Sequence, residues 1–186
     1  QSYIMSQTTS KFYVTLQHPQ GANFLVTAPV NGPGGHNKGF EVNWQQPFDF
    51  LPDFWANFGV LGNATFVQAR QNYLAANGTI QAVADLENMS RTSYNGTFYY
   101  DDGVFQARIS AAFRSKFLNA GGVNPGNNND LLLTKGSLNY DASASYKVND
   151  NFTITAQGIN LSNEPVISYL DSVGQRLNHG SWTGRE

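Results

Sequence analysis

Few side chains in this 186-residue chain have the types and spacing that chemistry requires. The three histidines, His18, His36 and His179, stand far apart, and a metal would need the fold to bring their imidazoles together. Asp49 and Asp53 are near enough in sequence to form the carboxylate pair used in acid–base hydrolysis. They lie in a turn framed by Pro47 and Pro52, however, where short acidic side chains more often cap backbone groups. Asp130 follows Asn127–Asn129, an oxygen-rich run suited to calcium but without the spacing of an EF-hand loop. Asp101-Asp102-Gly103 is a hairpin turn signal and needs no catalysis to explain it.

The sequence contains no nucleophile elbow, zinc-binding His-Glu-x-x-His, P-loop or dinucleotide fingerprint. Without cysteine, thiolate metal sites and disulfides are excluded. The glycines between 32 and 35 precede a strand pattern rather than a helix, so they build no helix-terminus phosphate site. The expectation is therefore a protein that binds rather than catalyses, with no cofactor and no resident metal.

Composition says what kind of surface carries these residues. Only 13% of residues are charged, about half the usual share, while aromatics also reach 13% and there are 18 glycines. Asn, Gln, Ser and Thr fill the gap, which suits a wall apolar on one side and uncharged-polar on the other. A net charge of −2 gives no basic footprint for nucleic acid. No apolar run approaches the roughly 20 residues of a transmembrane helix. Six Asn-x-Ser/Thr tripeptides, at Asn63, Asn77, Asn88, Asn95, Asn151 and Asn160, are expected to be chance products of this composition rather than glycan sites. No leader is visible at Gln1, and the chain reads as a piece of something longer.

The elements that must position these groups repeat with a period of two. Phe105, Ala107, Ile109, Ala111 and Phe113 alternate with Gln106, Arg108, Ser110, Ala112 and Arg114. From 136 to 148, Leu138, Tyr140, Ala142, Ala144 and Tyr146 alternate with Ser137, Asn139, Asp141, Ser143 and Ser145. Further strands are expected at about 1–14, 38–46, 56–69, 90–100 and 151–157. The connections alternate between short ones, at 47–54, 101–103 and 149–151, and long ones at about 15–35, 71–88, 118–135 and 162–182. Short turns at one end and long loops at the other are the pattern of a transmembrane barrel.

Aromatic residues collect at the short-turn end: Phe48, Phe50, Phe54, Trp55, Phe58, Tyr100, Phe105, Tyr146 and Phe152. That clustering fits an interfacial girdle, because aromatic rings favour the headgroup layer. The polar faces, with Glu41, Arg108, Arg114, Asp141 and Lys147, would then look into a wet lumen. A charge on the lipid side at mid-bilayer would cost about 2–4 kcal/mol. The fold expectation is all-β: an antiparallel transmembrane β-barrel segment of about seven strands plus the start of an eighth. Pattern alone also allows a small eight-stranded outer-membrane barrel with an adhesive or structural role, or a soluble carbohydrate-binding β-sandwich.

Several blocks resemble a known family. "NKGFEVNWQQPFDFLP" with "FGVLGNATF", "SRTSYNGTFYYDDGVFQARISAAFRSKF", "LNYDASASYKVNDNFTITAQGINLSNEP" and the terminal "SWTGRE" are similar to the C-terminal barrel of TonB-dependent outer-membrane receptors. In style they are closest to the branch common in xanthomonads and caulobacters. The resemblance implies that residues 1–186 are the C-terminal part of a 22-stranded barrel, with the plug domain and the final strand outside this chain. It implies energised nutrient uptake, an oligosaccharide rather than a ferric siderophore, across the bacterial outer membrane. The implied partners are the rest of the barrel, its plug, the TonB-ExbB-ExbD complex and the lipids and lipopolysaccharide of the membrane. On that topology the ligand-binding candidates are His18, Asn23, Phe24, His36, Tyr73, Arg91, Arg114, Asn119, Tyr169, His179 and Trp182. Arg108 and Arg114 have a second expected role, pairing with acidic groups of the plug or wall.

Overall fold

A computed structural model describes residues 33–74, 78–123, 130–171 and 175–184, together with the strand paths of 2–4, 7–15 and 23–31. The strands are β1 (Ser2–Ile4), β2 (Gln7–Thr15), β3 (Asn23–Asn31), β4 (Gly35–Pro47), β5 (Phe58–Leu74), β6 (Ile80–Ala84) and β7 (Thr92–Asp101). They continue with β8 (Phe105–Arg114), β9 (Phe117–Val123), β10 (Leu131–Thr134), β11 (Ser137–Asn149), β12 (Phe152–Gly158), β13 (Val166–Leu170) and β14 (Arg176–Ser181). The one helical element among the described residues is a short 3-10 turn, Asp53–Asn57.

The principal sheet runs β1-β4-β5-β7-β8-β11-β12, with β6 on β5, and every ladder is antiparallel. A second sheet runs β14-β13-β10-β9. The two sheets follow the same chain paths. β9 carries on upward from β8, β10 leads down into β11, and β13 carries on from β12. The wall therefore rises past a crease at 115–116, 135–136 and 159–165. Counted as paths, β1, β4, β5, β6/β7, β8/β9, β10/β11, β12/β13 and β14 match the seven strands and part of an eighth expected from periodicity. No ladder joins β4 to β12 among the described residues, so these paths form an open wall rather than a closed small barrel.

Two details differ from the sequence expectation. The first strand does not run through residues 1–14. Only Ser2–Ile4 pairs with β4, and 7–15 turns aside to form a separate hairpin with β3. Its Ser- and Thr-rich residues alternate poorly, so nothing ties them to a two-faced wall. The long connections are also not plain loops. The segments at 71–88, 118–135 and 162–182 contain the end of β5 and most of β6, β9, β10, β13 and β14. Their strand pairing is with distant neighbours, which local alternation does not reveal.

Register explains the two faces. Opposite residues share a face, and the ladders align Phe40 with Phe66, Tyr94 with Phe113, Phe98 with Ile109, and Tyr146 with Phe105. This face is apolar and uncovered: Phe40 is 62% exposed, Trp44 61% and Ile154 55%. On the other face Asn63 lies opposite both Asn43 and Asn95, Thr97 opposite Ser110, and Ser145 opposite Thr155. Hydrogen bonds lace that face: Asn63 Nδ2 donates to Glu41 at 2.5 Å and to Asn43 at 2.6 Å, and Thr97 and Ser110 hydroxyls meet at 2.8 Å. An apolar surface this large calls for an apolar cover, and hydrocarbon supplies one to a barrel wall.

The compact core sits at the long-connection end, not in the wall. Leu118, 1% exposed, packs with Ala84, Leu133 and Tyr169, and Tyr73, Val123 and Leu131 surround them. β5 has 17 residues, well beyond the 9–11 that cross a bilayer, so its last turn of chain belongs to this cap.

Candidate functional site

The short turns set the lower edge of the wall. At β4–β5 the backbone closes the turn: Phe48 N donates to Phe58 O at 2.8 Å and Leu51 N to Phe48 O at 2.8 Å. The 3-10 turn has no side-chain cap, so the expected capping by Asp49 and Asp53 is replaced by backbone bonds. At β7–β8 the acidic pair does cap. Asp101 Oδ1 accepts from Gly103 N at 2.9 Å, and Asp102 Oδ1 from Val104 N at 2.9 Å and Phe105 N at 2.6 Å. These bonds and one from the Tyr100 hydroxyl hold the Asp102 carboxyl below its ordinary range. Around both turns aromatic rings gather: Phe58 meets Phe54, Trp55, Phe98 and Tyr100 at 4.9–5.7 Å between ring centres.

A second aromatic row, not foreseen from sequence, crosses the same face higher up. Phe40 stacks on Phe66 at 4.9 Å, Phe66 meets Tyr94 at 5.5 Å, and Tyr94 stacks on Phe113 at 5.7 Å. These rings lie on four different strands, so only the ladder register shows that they form one level. From Phe58 to Phe66 the strand runs about 27 Å along its own axis, which at the usual barrel tilt spans most of an outer-membrane apolar band of about 25 Å.

Above mid-wall the descending path breaks between β6 and β7, and residues 85–91 leave the ladder. Asn88, with φ of 59°, turns the chain. Arg114 secures the excursion, donating from Nε to Ser90 Oγ at 2.6 Å and from Nη2 to Asn88 O at 2.5 Å, with its guanidinium 3.8 Å over the Phe117 ring. Beneath it opens a cavity of about 600 Å³ lined by Glu87, Asn88, Met89, Ser90, Ser93, Asn95, Ala112, Phe113, Arg114, Ser137 and Asn139. Ser93 and Asn95 of β7 and Ser137 and Asn139 of β11 bring hydroxyls and amides from two strands, with no internal side-chain hydrogen bond among the described residues.

A wall apolar outside, polar inside, girdled twice and capped by strand-rich connections is an outer-membrane barrel wall. The model of the TonB-dependent receptor-like β-barrel matches residues 2–161. The chain belongs to that family. TonB-dependent receptors are outer-membrane transport receptors rather than enzymes, which gives the polar face its role as the wall of an import path. No curated protein and no solved structure is detectably similar to the chain.

Within this receptor wall the sequence candidates fall in different places. Arg114 lines the cavity. Tyr73 and Tyr169 belong to the cap core, and burial with nearby Glu87 pushes the Tyr73 phenol up to about 12, its hydroxyl donating to Asp85 O at 2.8 Å. Asn119 is held by Thr134 at 2.5 Å and Ser168 at 3.4 Å. Arg91 forks onto Asp85 on the outward side. His36 lies opposite Arg70 on the outward-facing side of β4. His179 and Trp182 are exposed at β14 and just past it. His18 lies outside the described residues, as do the side chains of Asn23 and Phe24. Asp130 accepts from Arg176 at 2.9 Å, while Asn127–Asn129 lie outside the described residues. Arg108 faces the lumen opposite Tyr99 and makes no ion pair among the described residues.

Proposed function

We propose that this chain is the late part of the barrel of a TonB-dependent importer whose cargo is an oligosaccharide rather than a ferric siderophore. The observation that supports this is the chemistry of the cavity wall. Ser93, Asn95, Ser137 and Asn139 offer free hydroxyl and amide groups that exchange hydrogen bonds with sugar hydroxyls. Arg114 is the one cation of the lining and has donors committed to Ser90 and Asn88, while Glu87 brings a carboxylate to the same cavity, so the wall is no cluster of cations for an anionic iron chelate. His179 and Trp182 would add exposed rings for stacking. In this reading a plug domain and a final strand, both contributed by the same polypeptide beyond residues 1–186, complete the barrel. The TonB-ExbB-ExbD complex pulls on the plug to release cargo. The branch common in xanthomonads and caulobacters, with its carbohydrate-uptake members, is the expected setting.

The test is uptake by the full-length receptor in cells, with labelled oligosaccharides and labelled ferric siderophores in parallel. Saturable oligosaccharide accumulation that stops when TonB is removed is the expected result, with Asn95→Ala and Asn139→Ala weakening it. Accumulation of the iron chelates alone would reject the cargo assignment.

A further inference from the structure

The outward face carries a cluster of charge where a membrane wall should have none. In the ladder between β4 and β5, Lys38 lies opposite Gln68 and His36 opposite Arg70, directly above Phe40 opposite Phe66. All of these share the apolar face, so Lys38 and Arg70 sit at the upper edge of the bilayer-facing band. Arg91 joins them through Asp85, which both arginines reach, Arg91 Nε at 2.7 Å and Arg70 Nε at 3.6 Å. Asp85 is the one carboxylate in this group, and Lys38 makes no ion pair among the described residues. Three cations thus face one anion, and both arginine side chains remain substantially exposed, at 41% and 55%.

Between Lys38 and Arg91 lies a cavity of about 500 Å³ whose outward-facing apolar lining is Phe40 and Phe66, with Gly39 and Val67 at the adjacent position of the ladder. A Cβ at Gly39 would collide with the backbone carbonyl of Phe66 opposite. The two halves of the cavity want different things. The floor is continuous with the apolar band that hydrocarbon covers, while the rim presents cations at headgroup level. A molecule with phosphate above and acyl chains below satisfies both.

We propose that Lys38, Arg70 and Arg91 form a binding site for the phosphate of an outer-leaflet glycolipid whose acyl chains lie along Phe40 and Phe66. The site depends on the orientation of the wall in the membrane, not on the identity of the cargo. Asp85 holds the two arginines together and sets their spacing, and Lys38 closes the group from the neighbouring strand. A phosphomonoester with close to two negative charges matches the excess of positive charge.

The experiment uses the full-length receptor in detergent, freed of native lipid, and measures binding of bisphosphorylated lipid A, dephosphorylated lipid A and inorganic phosphate. Lys38→Gln and Arg70→Gln are compared with the parent, and each is expected to weaken binding of the bisphosphorylated lipid about fivefold, with the pair near the product of the two. Unchanged thermal melting and unchanged cargo uptake show that each variant is folded. The dephosphorylated lipid should bind weakly and equally to all of these proteins. Equal binding of the two lipids, or no change in the variants, overturns the site. Full competition by inorganic phosphate at the lipid's own concentration also overturns it, because a free-phosphate site would not need the aromatic floor. Loss of oligosaccharide uptake specificity with lipid binding intact would fall on the cargo reading alone.

Discussion

The Arg91 guanidinium holds both oxygens of the Asp85 carboxylate, Nε at 2.7 Å and Nη2 at 2.8 Å. The two residues bracket the excursion of 85–91, so this fork closes the segment on one side as Arg114 does on the other. Asp85→Asn should remove the charge that holds Arg70 and Arg91 side by side. Arg91 is exposed and Asp85 half-buried, so the expected loss of global stability is about 1 kcal/mol. Local opening should respond more. Amide hydrogen exchange of residues 85–91 in the full-length receptor is expected to rise while the wall ladders stay protected. Unchanged exchange there would show that Arg114 alone fixes the segment.

Gly59 lies beneath the ring of Tyr99, the residue opposite it on β7, so closely that a Cβ would overlap the phenol. Gly59→Ala should push the ring off the wall at a cost of about 1 kcal/mol, since the far end of the Tyr99 side chain is what must move. Tyr99→Ser in the same chain should recover part of that loss, since the clash goes with the ring. Urea denaturation of both single variants and the double variant measures the coupling. Strict additivity would show that the ring does not rest on the glycine.

Asp102 caps the β7–β8 turn as an anion, and its folded carboxyl titrates below the ordinary value. A depressed folded pKa means the unfolded state takes up the proton first. The stabilisation from Asp102 is therefore present above the unfolded value, near pH 4, and is lost as pH falls through the lower folded value. Turn stability followed from pH 6 to pH 2 should fall more steeply in the parent than in Asp102→Asn. Parallel profiles would remove Asp102 as the source.

Tyr73 behaves in the opposite sense. Its phenol is raised to about 12, so the folded state keeps the proton longer than the unfolded chain does. The stability it supplies is intact below about pH 10 and is lost as pH rises towards and through 12. Absorbance titration at 295 nm should show one late-ionising tyrosine in the parent that is missing in Tyr73→Phe. The phenylalanine variant should also loosen the cap by about 1 kcal/mol through the lost bond to Asp85 O.

Much of this fold was legible because a barrel wall writes itself locally. A two-residue period from Phe105 to Phe113 or Leu138 to Tyr146 assigns each side chain to lipid or lumen without knowledge of the partner strand. The lower girdle was equally readable, since Phe48, Phe50, Phe54, Trp55 and Phe58 are near neighbours in sequence. The upper row was not, because Phe40, Phe66, Tyr94 and Phe113 come from four strands. The cavity was missed for a similar reason. Ser93, Asn95, Ser137 and Asn139 are unremarkable polar residues until register sets them side by side beneath the 85–91 turn.

The sequence by itself determined the class of wall, its two faces and its turns, because alternation, glycine–aspartate turn chemistry and interfacial aromatics act over a few residues. The tertiary structure decided where the charged residues stand and which groups they meet. Alternation had already put Arg114 on the lumen side, whereas Arg91 stood in the sequence as one more loop-side candidate. Pairing between distant strands placed one outside with Asp85, Arg70 and Lys38, and the other over the lumen with Ser90 and Asn88. Long-range pairing, which no local pattern encodes, is what put Arg91 beside Asp85 and Arg70 on the outward face.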